Sequence, residues 1–286
     1  MTKNQARKLC IYHGNCPDGF GAAWAVRNAL GESVDFYKGM HQQTPPDVQG
    51  LHVILVDFSY KKDVLEKMLQ QAASITILDH HISAEQDLSS LLTEGRIAGV
   101  FDMNQSGAML AWQWFNPQQQ VPRLIEHIQD RDLWQFKLDG TNEIMAALSS
   151  YAFDFESWDK LMACNEDELH TLKQEGKSIL RKTHKDIKEL MLSGVRRMMI
   201  GGYNVPVLNV PPVYVSDAGN IMSVDEPFAA CYWDHATGRS FSLRSSDNGV
   251  DVSEVAKHYG GGGHVKAAGF TVPVGWEGEQ KINIKN

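Results

Sequence analysis

Three consecutive residues that could do chemistry, Asp79, His80 and His81, directly follow the apolar run ITIL at 75–78. The run is typical of a buried strand, in which neighbouring side chains point to opposite faces. Two imidazoles can therefore share a site only where the strand gives way to a loop, and open α/β sheets bind their ligands there. An acid beside two imidazoles favours metal binding by one ring and acid–base or phosphate contact by the other. Solvated surface histidines are the alternative.

A second group of candidates lies in the segment HGNCPDGFG at 13–21. His13 and Asp18 are donors for hard or borderline metal ions, and the glycines allow the backbone to approach an anion near a helix N-terminus. The same residues also suit an ordinary turn between a strand and a helix, because Gly, Pro and Asp favour turns. Asn15 and Cys16 lie between the two candidate ligands and are uncertain candidates.

Two more segments carry acids that could join the same site. Asp57 follows the apolar run at 53–56, where a lone Asp is often the N-cap of the next helix. Asp130 and Asp132 lie in HIQDRDLW at 127–134, where their alternative role is that of surface salt-bridge partners. Either of the two could supply a further carboxylate.

The candidate metal ligands are carboxylates and imidazoles, without clustered thiolates: His13, Asp18, Asp57, His80 and Asp130. This set suits Mn²⁺ or Mg²⁺, with Co²⁺ as a further possibility, better than a structural zinc. Two such ions about 3.5–4 Å apart would clamp the attacking and leaving oxygens of a phosphoryl displacement. We expect Asp57, central in the sheet, to bridge them. His81 would face the phosphate as donor or general acid, and Asp79 beside it is the second candidate catalytic residue.

A glycine-rich segment near the C-terminus, GGGGHVKAAGF at 260–270, is the other unusual feature. It could be a flexible linker, but small residues follow His264 and linkers are usually padded with serine. A glycine loop with exposed N–H groups binds phosphate well. Upstream, Arg244 at a predicted strand end could contact a phosphate through two hydrogen bonds. The predicted substrate-binding residues are Arg244, Gly261, Gly262, Gly263 and His264.

Alternating strand and helix signals position the first set of candidates. Continuous apolar strands separated by helices predict a parallel sheet covered on both faces, with its acids at one edge. The segment from about 120 to 192 reads as helical, with Asn165 and Glu168 as a helix start, and the remainder as β-rich. Ser106 begins a predicted helix and is an uncertain site candidate. The predicted strands are 8–13, 34–38, 53–59, 75–79 and 97–102, and the predicted helices between them are 19–30 and 61–74.

Length and composition limit the function classes. The chain has 286 residues, 43% of them hydrophobic, and a net charge of −8 from 27 basic and 35 acidic residues. Such a balance argues against a protein that coats long duplex nucleic acid. No apolar run approaches the ~18 residues of a membrane span. The four scattered cysteines are typical of free thiols in a reducing, cytoplasmic setting.

The motifs resemble those of the DHH phosphoesterase superfamily, in the branch with a DHHA1 C-terminal domain. HGNCPDG, LVDFS, LDHH and IQDRD are similar to its first four motifs, and SLRS…VSEVAKHYGGGGHVKAAGF to DHHA1. The resemblance implies an α/β fold in which an N-terminal parallel-sheet DHH domain with a helical connector, 1–192, precedes a smaller mixed α/β DHHA1 domain, 196–286. It also implies a two-manganese site and a possible homodimer.

Carried over by position, the resemblance implies roles for individual residues. Asp18, Asp57, His80 and Asp130 would bind one metal, and His13 and Asp57 the other. His81 would be the catalytic histidine, and Arg244, His264 and the glycines would hold substrate phosphate or base. The chain departs from the family at Cys16, where an Asp is common. A soft thiolate matches manganese poorly, so Asn15 or water would fill in, and the first metal would bind more weakly or only with substrate.

The expected activity is manganese-dependent hydrolysis of short oligoribonucleotides or linear dinucleotides to mononucleotides. The acidic surface favours short substrates over long nucleic acid. The resemblance leaves open a phosphatase of adenosine bisphosphate, a cyclic-dinucleotide phosphodiesterase or an exopolyphosphatase. A different class of protein, a nucleotide-binding module with weak catalysis, is motivated by Cys16.

Overall fold

The computed structural model describes residues 7–14, 16–40 and 43–279, and the chain divides into two compact units, Met1–Leu180 and Arg181–Asn286. A long helix, Glu166–Gly194, belongs partly to each unit. The domain boundary expected between 192 and 196 stays a prediction. None of the described helices combines the length and the apolar character needed to cross a membrane.

The first unit is built on a five-stranded, wholly parallel sheet with the strand order β2-β1-β3-β4-β5. All β-branched and other apolar residues of the central strand β3 that follow His52 are buried, as expected of a strand covered on both faces. The prediction of a parallel α/β domain is confirmed. The strands are β1 Lys8–His13, β2 Val34–Gly39, β3 His52–Val56, β4 Ser74–Asp79 and β5 Ala98–Phe101.

Helices cover both faces of this sheet. One apolar core joins Ile54 and Leu78 to helices α1 and α4, and the other joins Leu55 and Ile77 to α2 and α3, because alternate strand residues point to opposite faces. The helices of this unit are α1 Pro17–Leu30, α2 Lys62–Leu69, α3 Ile82–Thr93, α4 Gly107–Phe115, α5 Arg123–Asp132, α6 Thr141–Leu148, α7 Phe155–Met162 and the start of α8 Glu166–Gly194.

Two helices differ from the sequence-based prediction. The sequence analysis predicts no element at 82–93, yet helix α3 forms there, and Leu88 and Leu91, three residues apart, are fully buried and anchor one face of it. Helix α2 ends at Leu69, earlier than the predicted 74. The predicted start of α8 is confirmed, since the Asn165 side chain accepts hydrogen bonds from the N–H groups of Asp167 and Glu168, and Glu168 bonds back to the Asn165 N–H.

The second unit carries a six-stranded mixed sheet with the order β10-β11-β9-β8-β7-β6. A core that includes Phe228, Phe241 and Val207 lies against helix α10. A hairpin joins β8 to β9, because His235 pairs with Gly238. The elements are β6 Arg196–Ile200, β7 Tyr203–Asn209, α9 Val215–Met222, β8 Ala229–His235, β9 Gly238–Arg244, α10 Val252–His258, β10 Gly262–Gly263 and β11 Ala267–Val272.

Candidate metal centre

The carboxyl ends of three adjacent parallel strands place the central candidates at one edge of the first sheet. His13 is the last residue of β1, Asp57 follows the last residue of β3, and Asp79 is the last residue of β4. Asp57 has a left-handed backbone with φ of 52°, and its N–H donates to the Leu78 carbonyl at 2.9 Å. Asp is among the few residue types that tolerate this conformation, so the strand turns sharply while the carboxylate stays at the edge.

The Asp57 carboxylate contacts two imidazoles, one through each oxygen. Its Oδ1 lies 3.1 Å from His80 Nε2, and its Oδ2 lies 3.3 Å from His13 Nδ1. Asp57 is buried, with 1% of its surface exposed. A carboxylate whose oxygens point to two different ligand sets has the geometry of a bridge between two cations.

Three carboxylates converge on one nitrogen of His80. Besides Asp57, its Nε2 lies 3.7 Å from Asp18 Oδ2 and 3.5 Å from Asp132 Oδ2. Donor atoms of Asp18, Asp57 and His80 all lie within 4.8 Å of one another. We call Asp18, Asp132, His80 and the Oδ1 side of Asp57 the inner site, and His13, Cys16 and the Oδ2 side of Asp57 the outer site.

The N-terminus of helix α4 fixes the Asp18 carboxylate. The N–H groups of Gly107 and Ala108 donate to its two oxygens at 2.6 and 2.9 Å. A side chain at Gly107 would bring its Cβ within 2.4 Å of Asp57 Cβ. Ser106 caps the same helix by accepting from the Met109 N–H. Ser106, an uncertain candidate, is therefore placed as a structural support of the inner site.

Asp130 is not brought to the cluster, and Asp132 is found there instead. The Asp130 carboxylate accepts hydrogen bonds from the N–H groups of Lys137 and Leu138 at 2.8 and 3.1 Å and from the Thr141 hydroxyl at 2.6 Å. It therefore organises the loop after α5 rather than a metal site. Both Asp130 and Asp132 are candidates in the sequence, and only the direction in which each side chain points at the end of α5 distinguishes them.

Asp79 and His81 form a separate pair at the end of β4. The Asp79 carboxylate accepts from His81 Nδ1 at 2.6 Å, from the Ser59 hydroxyl at 2.6 Å and from the His80 N–H at 2.8 Å. Asp79 is completely buried. Since Nδ1 is committed to Asp79, any proton exchange between His81 and a substrate must use Nε2.

The inner site gathers more carboxylates than its one imidazole can neutralise. Burial, together with the charges of Asp57 and Asp132, raises the pKa of Asp18 well above its usual value. Burial disfavours charge on His80, but its hydrogen bond to Asp57 and the nearby carboxylates raise the His80 pKa to about 10. Although burial also opposes ionisation of Asp57, hydrogen bonds from His13 and His80 hold the pKa of Asp57 well below its usual range.

The donor set fits a pair of divalent cations. Asp57 belongs to three donor groups, since it lies close to His13 with Cys16, to Asp18 with His80, and to Asp79 with His81. Carboxylate oxygens and imidazole nitrogens are ligands for Mn²⁺ or Mg²⁺, and a bound cation would offset the repulsion among the buried carboxylates. The inner and outer sites would share Asp57.

Of the two uncertain candidates near His13, the structure places one. Cys16 is partly exposed and is the N-cap residue of α1, and its sulfur lies within 4.8 Å of the donor atoms of His13 and Asp57. Burial, together with the charges of Asp57 and Asp18, raises the pKa of the Cys16 thiol well above its usual value. Asn15 lies outside the described residues.

In the second unit, the glycine segment is part of the sheet and not an open loop. Gly262 and Gly263 pair with Gly269 and Ala268, and the N–H groups of Gly260 and Gly261 donate to the end of α10. The prediction of a loop with exposed N–H groups is therefore wrong for Gly260 and Gly261, whose N–H groups are already hydrogen-bonded. Glycine is required at 261 because a Cβ there would lie 2.0 Å from the Gly269 carbonyl oxygen.

Two other predicted substrate-binding residues lie in the same unit. Arg244, at the end of β9, donates to the hydroxyls of Ser242 and Ser216, both at 2.8 Å. The partly buried His264 follows β10 and donates its N–H to the Ala267 carbonyl at 2.8 Å. Contact of Arg244, His264 or the glycines with substrate stays a prediction.

Similarities to known proteins agree with this architecture. Residues 223–284 match the DHHA1 domain family. The chain is 29% identical over 292 residues to the uncharacterized protein R106 of Acanthamoeba polyphaga mimivirus, covering 92% of this chain and 66% of that protein, just under two thirds. It is 21% identical over 295 residues to the oligoribonuclease NrnB of Bacillus subtilis (strain 168), covering 92% of this chain and 72% of that protein.

Among solved structures, RecJ is similar in fold. The crystal structure of RecJ in complex with Mn²⁺ from Thermus thermophilus matches with a TM-score of 0.52 and 14% identity, covering 94% of this chain and 50% of that one. At that identity the likeness concerns the fold alone.

Proposed function

The chain belongs to the DHH/DHHA1 superfamily, and from this premise we propose that it is a manganese-dependent phosphodiesterase that hydrolyses short oligoribonucleotides or linear dinucleotides to mononucleotides. The observation that carries the proposal is the Asp57 carboxylate, whose two oxygens face the imidazoles of His80 and His13. The similarity to the oligoribonuclease NrnB over 92% of the chain supports the choice of substrate. The cytoplasmic location and the homodimer remain predictions.

The residues of the cluster divide between two cations. Asp57 and His80, with Asp18 and Asp132, would hold the inner cation, while His13 and the other oxygen of Asp57 would hold the outer one. When bound, such a pair polarises the phosphoryl oxygens and supplies a hydroxide nucleophile at neutral pH. The helix dipole at the α4 N-terminus and the N–H groups of Gly107 and Ala108 keep the Asp18 carboxylate oriented throughout.

In this proposal His81 supplies the proton that the leaving oxygen needs. Although burial disfavours the charged ring, the Asp79 carboxylate raises the His81 pKa above its usual value, which favours the protonated form that a general acid needs. Asp79 holds Nδ1–H, so Nε2–H is the donor that would face the substrate. When the phosphodiester bond breaks, this proton passes to the leaving ribose oxygen and His81 becomes neutral.

Chromatography of a substrate panel tests the proposal. Metal-stripped full-length protein is resupplied with Mn²⁺ and incubated with an RNA ladder from the dinucleotide upward, a cyclic dinucleotide, adenosine bisphosphate and polyphosphate. We expect the shortest linear RNAs to be lost first, and Asp57→Asn to abolish that loss. Turnover confined to any other member of the panel would refute the substrate class, and binding without turnover would favour a nucleotide-binding module.

His81→Asn separates chemistry from metal binding. Because His81 is assigned to proton donation and not to the inner or outer site, the variant should bind Mn²⁺ as the unmodified protein does. Its turnover should fall by about 100-fold or more, the usual contribution of a general acid. Retained turnover would remove His81 from the mechanism.

A further inference from the structure

The outer site differs from the inner site in the softness of its donors. Its donors are the His13 imidazole, the Cys16 sulfur and one oxygen of Asp57, all within 4.8 Å of one another. Ligand atoms that share an ion at about 2.0–2.3 Å lie at most about 4.5 Å apart. Small side-chain rotations would therefore let the three atoms converge on one cation.

No second carboxylate replaces the sulfur in this group of described residues. Asp18 is the nearest acid along the chain, but its two oxygens accept from the N–H groups of Gly107 and Ala108, and it faces His80. The outer site thus depends on Cys16 for a second anionic donor besides the shared Asp57. A thiolate carries the same charge as a carboxylate, so the electrostatic role is retained while the metal preference changes.

The position of Cys16 at the start of α1 is unusual for a cysteine. It is the N-cap residue of α1, yet in the described structure its side chain makes no capping hydrogen bond. An Asp in this position would both cap the helix, worth about 1 kcal/mol, and offer a hard oxygen to Mn²⁺. A cysteine provides neither advantage, and its sulfur lies within 4.8 Å of the donor atoms of His13 and Asp57.

We propose that Cys16 is a thiolate ligand that makes the outer site selective for a borderline-soft divalent cation of the Zn²⁺ or Co²⁺ type, beside a harder ion in the inner site. Imidazole and thiolate ligands favour such ions, and the general affinity order places Mn²⁺ below Co²⁺ and Zn²⁺. The Cys16 thiol gives its proton to solvent as the sulfur–metal bond forms, so each cation bound there releases one proton. No oxidation or reduction is involved.

The inference concerns the metal site on which the proposed function rests, but its test needs no turnover. Metal-free full-length protein is titrated with Co²⁺ under a phosphine reductant, and the near-ultraviolet absorption of a thiolate–cobalt bond is followed. We expect this band in the unmodified protein and in Cys164→Ser, a matched control at another partly exposed cysteine. Cys16→Ser should lack it, with circular dichroism confirming that the variant is folded.

Competition between Zn²⁺ and Mn²⁺ gives the second readout. Loss of even an outer partner of a metal ligand costs about 10- to 100-fold in affinity, so Cys16→Ser should lower Zn²⁺ affinity at one site by at least that factor. Cys16→Asp should instead improve Mn²⁺ binding there. A band that persists in Cys16→Ser, or unchanged Zn²⁺ affinity in both variants, overturns the assignment.

The outcomes also separate this inference from the proposed function. A band that depends on Cys16 in a protein that hydrolyses no member of the substrate panel keeps the ligand assignment and removes the phosphodiesterase. Hydrolysis with Mn²⁺ in a protein that gives no thiolate–cobalt band keeps the phosphodiesterase and removes the assignment of Cys16 as a ligand.

Discussion

Two regions of the molecule bury charge, and they balance it differently. In the second unit the Arg239 guanidinium, 8% exposed, donates to both oxygens of Asp234 at 2.6 and 3.0 Å and to Glu277 at 2.9 Å. In the first unit the carboxylates of Asp18, Asp57 and Asp132 face the single imidazole nitrogen of His80.

The difference distinguishes a structural charge from a functional one. Arg239 is satisfied by the protein itself, as buried ions in a stable fold must be, and burial of a charge there needs no external partner. The cluster around Asp57 has a surplus of carboxylates, which burial makes costly. A surplus of one sign is thus the mark of a site that is completed by a bound cation.

The largest effects are expected from a pair of substitutions, one in each region. Asp57→Asn keeps the shape and the left-handed backbone but removes the bridging charge. It should lose at least about 100-fold in metal affinity at both sites and nearly all turnover. Arg239→Gln should do the opposite: we expect full metal binding and activity, but a free energy of unfolding lower by about 2 kcal/mol.

Isothermal titration with Mn²⁺ and denaturant melts of both variants measure the contrast. The comparison would break if Arg239→Gln weakened metal binding, or if Asp57→Asn unfolded the chain.

A second pair of variants sharpens the boundary of the cluster. Asp132 faces His80 Nε2 at 3.5 Å, whereas Asp130 holds the backbone at Lys137 and Leu138. Asp132→Asn should lower Mn²⁺ affinity by about tenfold or more with an unchanged melting temperature. Asp130→Asn should lower stability by about 1–3 kcal/mol, because charged hydrogen bonds are lost, with a smaller effect on metal. Equal metal affinities in the two variants would mean that Asp130 is also a metal ligand.

A third change disturbs the support of the cluster without removing a donor. In Gly107→Ala the new Cβ would lie 2.4 Å from Asp57 Cβ and 3.0 Å from Asp18 Oδ2, so both carboxylates must shift. We expect a loss of about 1–3 kcal/mol in stability from overpacking and weaker metal binding. Calorimetry with and without Mn²⁺ checks both. Metal affinity equal to that of the unmodified protein would mean that the site accommodates the methyl group without displacing the two carboxylates.

A pH dependence that arises in the carboxylate cluster gives a further test of the contrast. The His80 pKa rises from the ordinary 6.5 to about 10 in the metal-free fold. The stabilisation that this gives is complete below pH 6.5 and is lost as the pH rises through about 10. The melting temperature of the metal-free protein should therefore fall over that range. Saturating Mn²⁺ should flatten the decline, because the cation replaces the proton, and a decline that is the same with and without metal would contradict this origin.

Much of the first unit was readable from the sequence because its signals are local. The apolar run that ends at Asp79 predicted β4 and the position of the acid at the sheet edge, and the parallel topology then brought His13 and Asp57 beside it. The choice between Asp130 and Asp132 was not readable, because it depends on which way a helix-end side chain points. The same holds for Gly262 and Gly263, which pair with β11 through contacts that no local pattern specifies.

The left-handed backbone of Asp57, with φ of 52°, has a consequence for how this chain can evolve. Asn and Gly adopt that conformation at least as readily as Asp, and a single base change turns an Asp codon into either. The most damaging substitutions for chemistry thus leave the backbone at this position unstrained. If the proposed hydrolysis were no longer needed, one such substitution would remove the bridging carboxylate while the chain kept the backbone turn that positions it.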